Sequence, residues 1–231
     1  MDEADNRPGP AFRAVSFVEF LIGGAIVVAH NVYHAVPNEV PILFVLGWLS
    51  LRLRDGGLSA SGLGRLVPQV FRRSQPWWKT ILFAVVTAAL LQLDNVVLDP
   101  VTSYFWPQPA DLGSFKQVAH NLPFAAQYFA LIWTFAAFGE ELSYRGYLMR
   151  RAADIAGGTR AAWWLGMIVV SVLFGLAHWY KGPPGVLDST VSGLILGSAY
   201  LLSGRNVWVT ILAHGLSDTF ALVVLFLGLA S

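Results

Sequence analysis

No charged side chain occurs between Leu122 and Gly139, and apolar stretches of 14 to 20 residues recur along the rest of the chain. A helix rises about 1.5 Å per residue, so roughly 20 apolar residues cross the ~30 Å hydrocarbon core of a bilayer. With 55% of its 231 residues hydrophobic and 13% charged, the chain reads as an integral membrane protein. Short Pro/Gly-rich or basic connections leave no room for a separate soluble domain. The expectation is one all-α domain over residues 1–231, a polytopic membrane bundle of about seven transmembrane helices.

The expected spans are 15–36, 39–53, 79–99, 122–146, 161–180, 187–203 and 206–229. The second is short and the third ends on Asp94 and Asp99, marks of a tilted or re-entrant helix. The first lacks a small-residue cleavage pattern, so an uncleaved first helix is expected rather than a signal peptide. Alternating the loops between two sides places thirteen of the fifteen Lys and Arg residues on the N-terminal side, leaving Lys116 and Lys181 on the other. That bias predicts a multi-pass cell-membrane protein with a cytoplasmic N-terminus and an outer C-terminus. In the sixth span Gly193 and Gly197 form a GxxxG pair that lets another helix approach closely. Trp106, Trp163, Trp164, Trp179 and Trp208 fall near span ends, where interfacial aromatics belong.

Ionisable residues inside such spans are costly and stand out as functional candidates. "FGEELSYRGYL" closes the fourth span, and in it Glu141 and Arg145 are four residues apart with the acid first, the favourable order for an ion pair on one helix face. Glu140 is rotated by about 100°. If Arg145 neutralises Glu141, Glu140 remains a separate carboxylate suited to general-base work. The bland alternative is a charge cluster at a helix end. The fifth span ends in "FGLAHWYKG", where Phe174 and His178 share a face. The last contains "ILAHGLSDTF", with His214 and Asp218 one turn apart and Gly215 leaving space beside the histidine. Asp218 is placed to hold the imidazole in one tautomer. Glu140, His178 and His214 converging inside a bundle would suit water activation and oxyanion stabilisation, the requirements of amide hydrolysis.

The ordered set Glu140-Glu141-x-x-x-Arg145, Phe174-x-x-x-His178 and His214-x-x-x-Asp218 resembles the CPBP family, which includes the Rce1-type CAAX prenyl endopeptidases and bacterial relatives once called Abi proteins. The likeness extends from about Arg52, through "LRLRDGGLSASGLG", to Phe220, with the motif-bearing core at about 122–229. It implies an intramembrane endopeptidase acting on a membrane-associated protein or peptide, with the lipid bilayer as its surroundings and no nucleic-acid partner. By similarity, Glu140 and His178 would activate the water, His214 and Asp218 would line the oxyanion site, and Glu141, Arg145 and Phe174 would support it. The prenyl-protein enzymes carry Asn at the position of Asp218. An ionised Asp cannot donate a hydrogen bond, so Asp218 must be protonated or must orient His214.

No cofactor is expected, although two histidines and a glutamate suffice for catalytic zinc, which would be held by Glu140, His178 and His214. No HExxH is present, and the chain has no cysteine, so thiolate ligands and a thiolate nucleophile are excluded. A non-catalytic immunity or binding protein, and a proton or ion transporter, are the competing functions; no internal repeat of the kind transporters carry is apparent. One tension concerns depth. His178 lies roughly 26 Å along its span from Ala161 and His214 only about 12 Å along its own. These depths agree only if the fourth and fifth helices extend past the bilayer before turning near Gly157 and Gly158.

Overall fold

A computed structural model describes residues 8–57, 61, 77–107, 113 and 115–229. Among them the structure is all-helical, with seven principal helices: α1 (Pro10–Asn31), α2 (Glu39–Arg54), α3 (Trp77–Phe105), α4 (Leu122–Ile155), α5 (Arg160–Leu176), α6 (Gly182–Leu202) and α7 (Val207–Phe226). Local chemistry sets most of the starts. Asn38, Asn121, Thr159 and Asn206 each accept a hydrogen bond from a backbone N–H in the first turn of the helix that follows. Proline opens α1, where a missing N–H costs nothing.

Five helices are long and apolar enough to cross a membrane: α1, α3, α4, the Trp179–Leu202 segment containing α6, and α7. The other two are shorter, 16 residues in α2 and 17 in α5. The expected boundaries move accordingly. α1 lies about five residues earlier than expected. α4 runs on to Ile155, beyond the expected 146. α5 stops at Leu176 rather than 180, and a 3₁₀ turn at Trp179–Lys181 leads directly into α6. The α4–α5 reversal falls at Gly157 and Gly158, whose φ values of 89° and 69° suit glycine. α4 therefore runs past the site, whereas α5 starts at Arg160, next to the expected 161. Of "LRLRDGGLSASGLG", residues 58–60 and 62–64 lie outside the described residues.

α5 packs along α6, and α7 lies against α3 and α4. The α5–α6 contact uses the glycine face read from the sequence. A Cβ on Gly193 would meet the Ser171 backbone at 3.1 Å, and one on Gly197 would meet the Met167 side chain at 2.5 Å. Close backbone approach stands in for the hydrophobic drive that lipid does not supply between helices. Leu43, Tyr144, Leu148, Met149, Phe174, Tyr200 and Ile211 belong to the main core. Val15, Leu21, Ile81, Val85, Leu165 and Val172 project outward, as side chains solvated by lipid do.

Two expectations are corrected. Trp163 is buried rather than interfacial, packed near Tyr200 with the Arg205 guanidinium 4.7 Å from its ring; Trp208 packs against Phe138. The space beside His214 at Gly215 is filled, because the Trp133 ring of α4 lies 2.7 Å from where a Cβ would stand.

Candidate active site

The two glutamates sit where α4 departs from ordinary helical winding. Ile132–Glu140 and Leu142–Leu148 are both π-helical, with Glu141 at their junction. Such i→i+5 winding is rare and is often found where a helix presents functional groups. Glu141 and Arg145 nevertheless pair as their spacing requires, Arg145 Nη1 donating to Glu141 Oε1 at 2.8 Å with both side chains essentially inaccessible. Arg145 also donates to the Gly193 carbonyl of α6 at 3.3 Å and covers the Phe174 ring at 4.5 Å. A guanidinium satisfied on three helices at once fixes their mutual rotation.

Sequence reasoning missed a second contact of Glu141. Its Oε1 also lies 2.9 Å from His214 Nδ1, joining α4 to α7 across 73 positions. On the far side of the ring, His214 Nε2 faces Asp218 Oδ2 at 3.4 Å. His214 is therefore held between two carboxylates, and its edge meets the Phe174 ring at a centroid distance of 6.3 Å.

His178 is not on the helix expected for it but on the turn just beyond α5. Its Nδ1 lies 3.0 Å from the Phe174 carbonyl and its ring 4.9 Å from that residue's ring. A carbonyl only accepts, so Nδ1 carries a proton, and in the neutral form of the ring Nε2 is a lone-pair acceptor. Among the described residues, Glu140 forms no hydrogen bond or ion pair with either histidine. Its Oε2 is buried and, among the described residues, has no hydrogen-bond partner, an arrangement native proteins seldom leave without a reason.

Glu140, His178, His214 and Asp218 all line one cavity of about 750 Å³. Its remaining wall is largely apolar, including Phe115, Tyr128, Leu131, Phe135 and Leu222. A second cavity of about 250 Å³ reaches His178, His214 and Asp218 from the other side and is more polar, with Gln92, Asn95, Asp188, Ser189, Ser192 and Ser217 in its lining. Gln92 Nε2 donates to Ser217 Oγ at 2.7 Å, tying α3 to α7 there. The two imidazoles thus stand between an apolar chamber and a polar one.

Among the described residues, no group of three or more His, Asp or Glu side chains is arranged to hold a metal ion. The suggested zinc set fits poorly for a chemical reason: both nitrogens of His214 face carboxylates. Zinc ligation needs a free imidazole lone pair directed at the ion.

Fold and site together define a helical membrane protein with a buried acid–imidazole centre. Residues 122–220 match the sequence model of the family described as Type II CAAX prenyl endopeptidase Rce1-like, and all seven motif residues fall within the match. The match supports the resemblance of this segment to the CPBP, Rce1-like family, which is a family of proteases. No curated protein and no solved structure matches the chain.

Proposed function

We propose that the protein is an intramembrane endopeptidase that hydrolyses a peptide bond of a membrane-associated protein or peptide with a water activated by Glu140 and His178. The observation that carries this reading is the shared cavity, which brings a partnerless carboxylate, an imidazole acceptor and the His214–Asp218 pair to one apolar chamber. Water lodged between Glu140 and His178 Nε2 gives up a proton to the carboxylate as its oxygen bonds to the substrate carbonyl carbon. The carbonyl oxygen, now an oxyanion, takes the N–H of His214 Nε2. The 3.4 Å contact to Asp218 is long enough to be exchanged for that bond. The C–N bond then breaks, and the proton held by Glu140 passes to the leaving nitrogen.

In this scheme Asp218 is ionised and positions His214, and Glu141 anchors the opposite nitrogen under the charge of Arg145. The motif position that carries Asn in the prenyl-protein enzymes is thereby accommodated without a protonated acid. The catalysis is metal-free. Protein reconstituted in liposomes with a membrane protein fraction should generate new peptide termini that a strong chelator does not suppress. Near-stoichiometric zinc, with chelator inhibition reversed by zinc, would replace this mechanism by a metal one.

A further inference from the structure

The side from which the chamber is reached follows from which elements build it. Taken in chain order, the helix ends alternate between two faces of the bundle. One face holds the start of α1, the end of α2, the start of α3, the Gly157–Gly158 reversal and the α6–α7 turn. The other holds the α1–α2 loop, the α3–α4 connection, the α5–α6 turn and the end of α7. The chamber wall draws on this second set: Asn38 at the α1–α2 loop, Phe115 before α4, Tyr180 and Lys181 at the α5–α6 turn, and Leu225 at the end of α7. No residue of the Gly157–Gly158 reversal or of the α6–α7 turn lines it.

The two faces also differ in charge. Arg13, Arg52, Lys79 and Arg160 are exposed at the first, against Lys116 and Lys181 at the second. Basic residues flanking spans are retained on the cytoplasmic side, so the first face is the inner one.

We infer that the chamber takes its substrate from the outer face, which makes the substrate an apolar segment of an exported or outward-facing polypeptide rather than a tail presented from the cytoplasm. This rests on the peptidase reading for the word substrate, but not for the direction of access. The aromatic and aliphatic wall suits apolar side chains beside the scissile bond, and α4 carries that wall from Glu140 back to Tyr128, about three turns toward the outer face. An inner-face substrate would instead have to pass the packed α1–α4–α5 end, where Arg151 is wholly buried.

The cysteine-free chain provides a clean test, because single cysteines give the only thiols. Tyr180→Cys at the rim, Ala136→Cys on the chamber wall one turn from Glu140, and Arg160→Cys at the basic end are each first shown to react with maleimide in detergent. Intact cells are then treated with a membrane-impermeant maleimide. The Tyr180 and Ala136 variants should take most of their label before permeabilisation, and the Arg160 variant only after it. Labelling of Tyr180→Cys or Ala136→Cys that waits for permeabilisation overturns the inference, whatever Arg160→Cys does. Either result leaves peptide hydrolysis itself untouched, since the readout is access and not cleavage.

Discussion

Helix α4 carries two clusters of buried charge, and they are built differently. Toward its end, Arg151 is fully enclosed and meets Glu19 at 2.6 Å, Asp154 at 2.7 Å and Asp55 besides. Arg54 pairs with the same Glu19, Arg150 with Asp55, and Ser50 fills the remaining donor positions. Three guanidiniums face three carboxylates around the contacts of α1, α2 and α4. About three turns earlier, Glu140 and Glu141 keep buried oxygens without partners among the described residues, Arg145 is the cation paired with them, and the group opens onto a cavity. Buried charge that is fully paired holds helices together; buried charge left partly unpaired beside a cavity is available for chemistry. The comparison predicts that damage at the first cluster is lost stability and damage at the second is lost turnover.

The largest effect on folding is expected from Arg151→Ala, which strands Asp154, Asp55 and Glu19. Removing one partner of a buried network costs roughly 3–5 kcal/mol, enough to unfold many proteins. Thermal unfolding in detergent that matches the unaltered protein would remove the structural role of this cluster. Arg145→Ala should cost a similar ~3–5 kcal/mol and leave Glu141 held by His214 alone, shifting that ring, so any protein recovered folded should cleave poorly. Full yield with full activity would contradict it. A smaller loss, about 1–3 kcal/mol, is expected for Gly193→Ala, whose Cβ would be forced against the Ser171 backbone. An unshifted melting temperature would show that α5 and α6 separate freely. Arg150→Ala should be mildest, under about 1 kcal/mol, because its pair with Asp55 is partly exposed; a defect as large as that of Arg145→Ala would erase the distinction between buried and rim charges.

Much of this division was legible along the chain. Apolar run lengths mark the helices, and the i,i+4 spacing marks the Glu141–Arg145 pair. The small residues of α6 mark the face that α5 meets. What stayed hidden depends on tertiary placement. The Glu141–His214 bond joins residues far apart in sequence, so a pair that looked self-contained within α4 proved to share one oxygen with α7. The π-helical winding around Glu141 leaves no mark in the residue pattern, since it preserves the apolar run. A count of arginines by side treats Arg151 as a loop charge, whereas its partners Glu19 and Asp55 arrive from α1 and the end of α2. Likewise Gly215 reads as open space until Trp133, some eighty residues earlier, fills it, with its indole N–H donating to Thr219 Oγ1 at 3.2 Å.

The central claim is that the buried, unpartnered oxygen of Glu140 is kept for catalysis and not for stability, and Glu140→Gln measures it most directly. The substitution preserves shape and removes the proton acceptor, so thermal stability should hold or rise while cleavage falls by about 10² to 10⁴ fold. A variant that melts markedly earlier, or one that cleaves as well as the unaltered protein, would contradict the account.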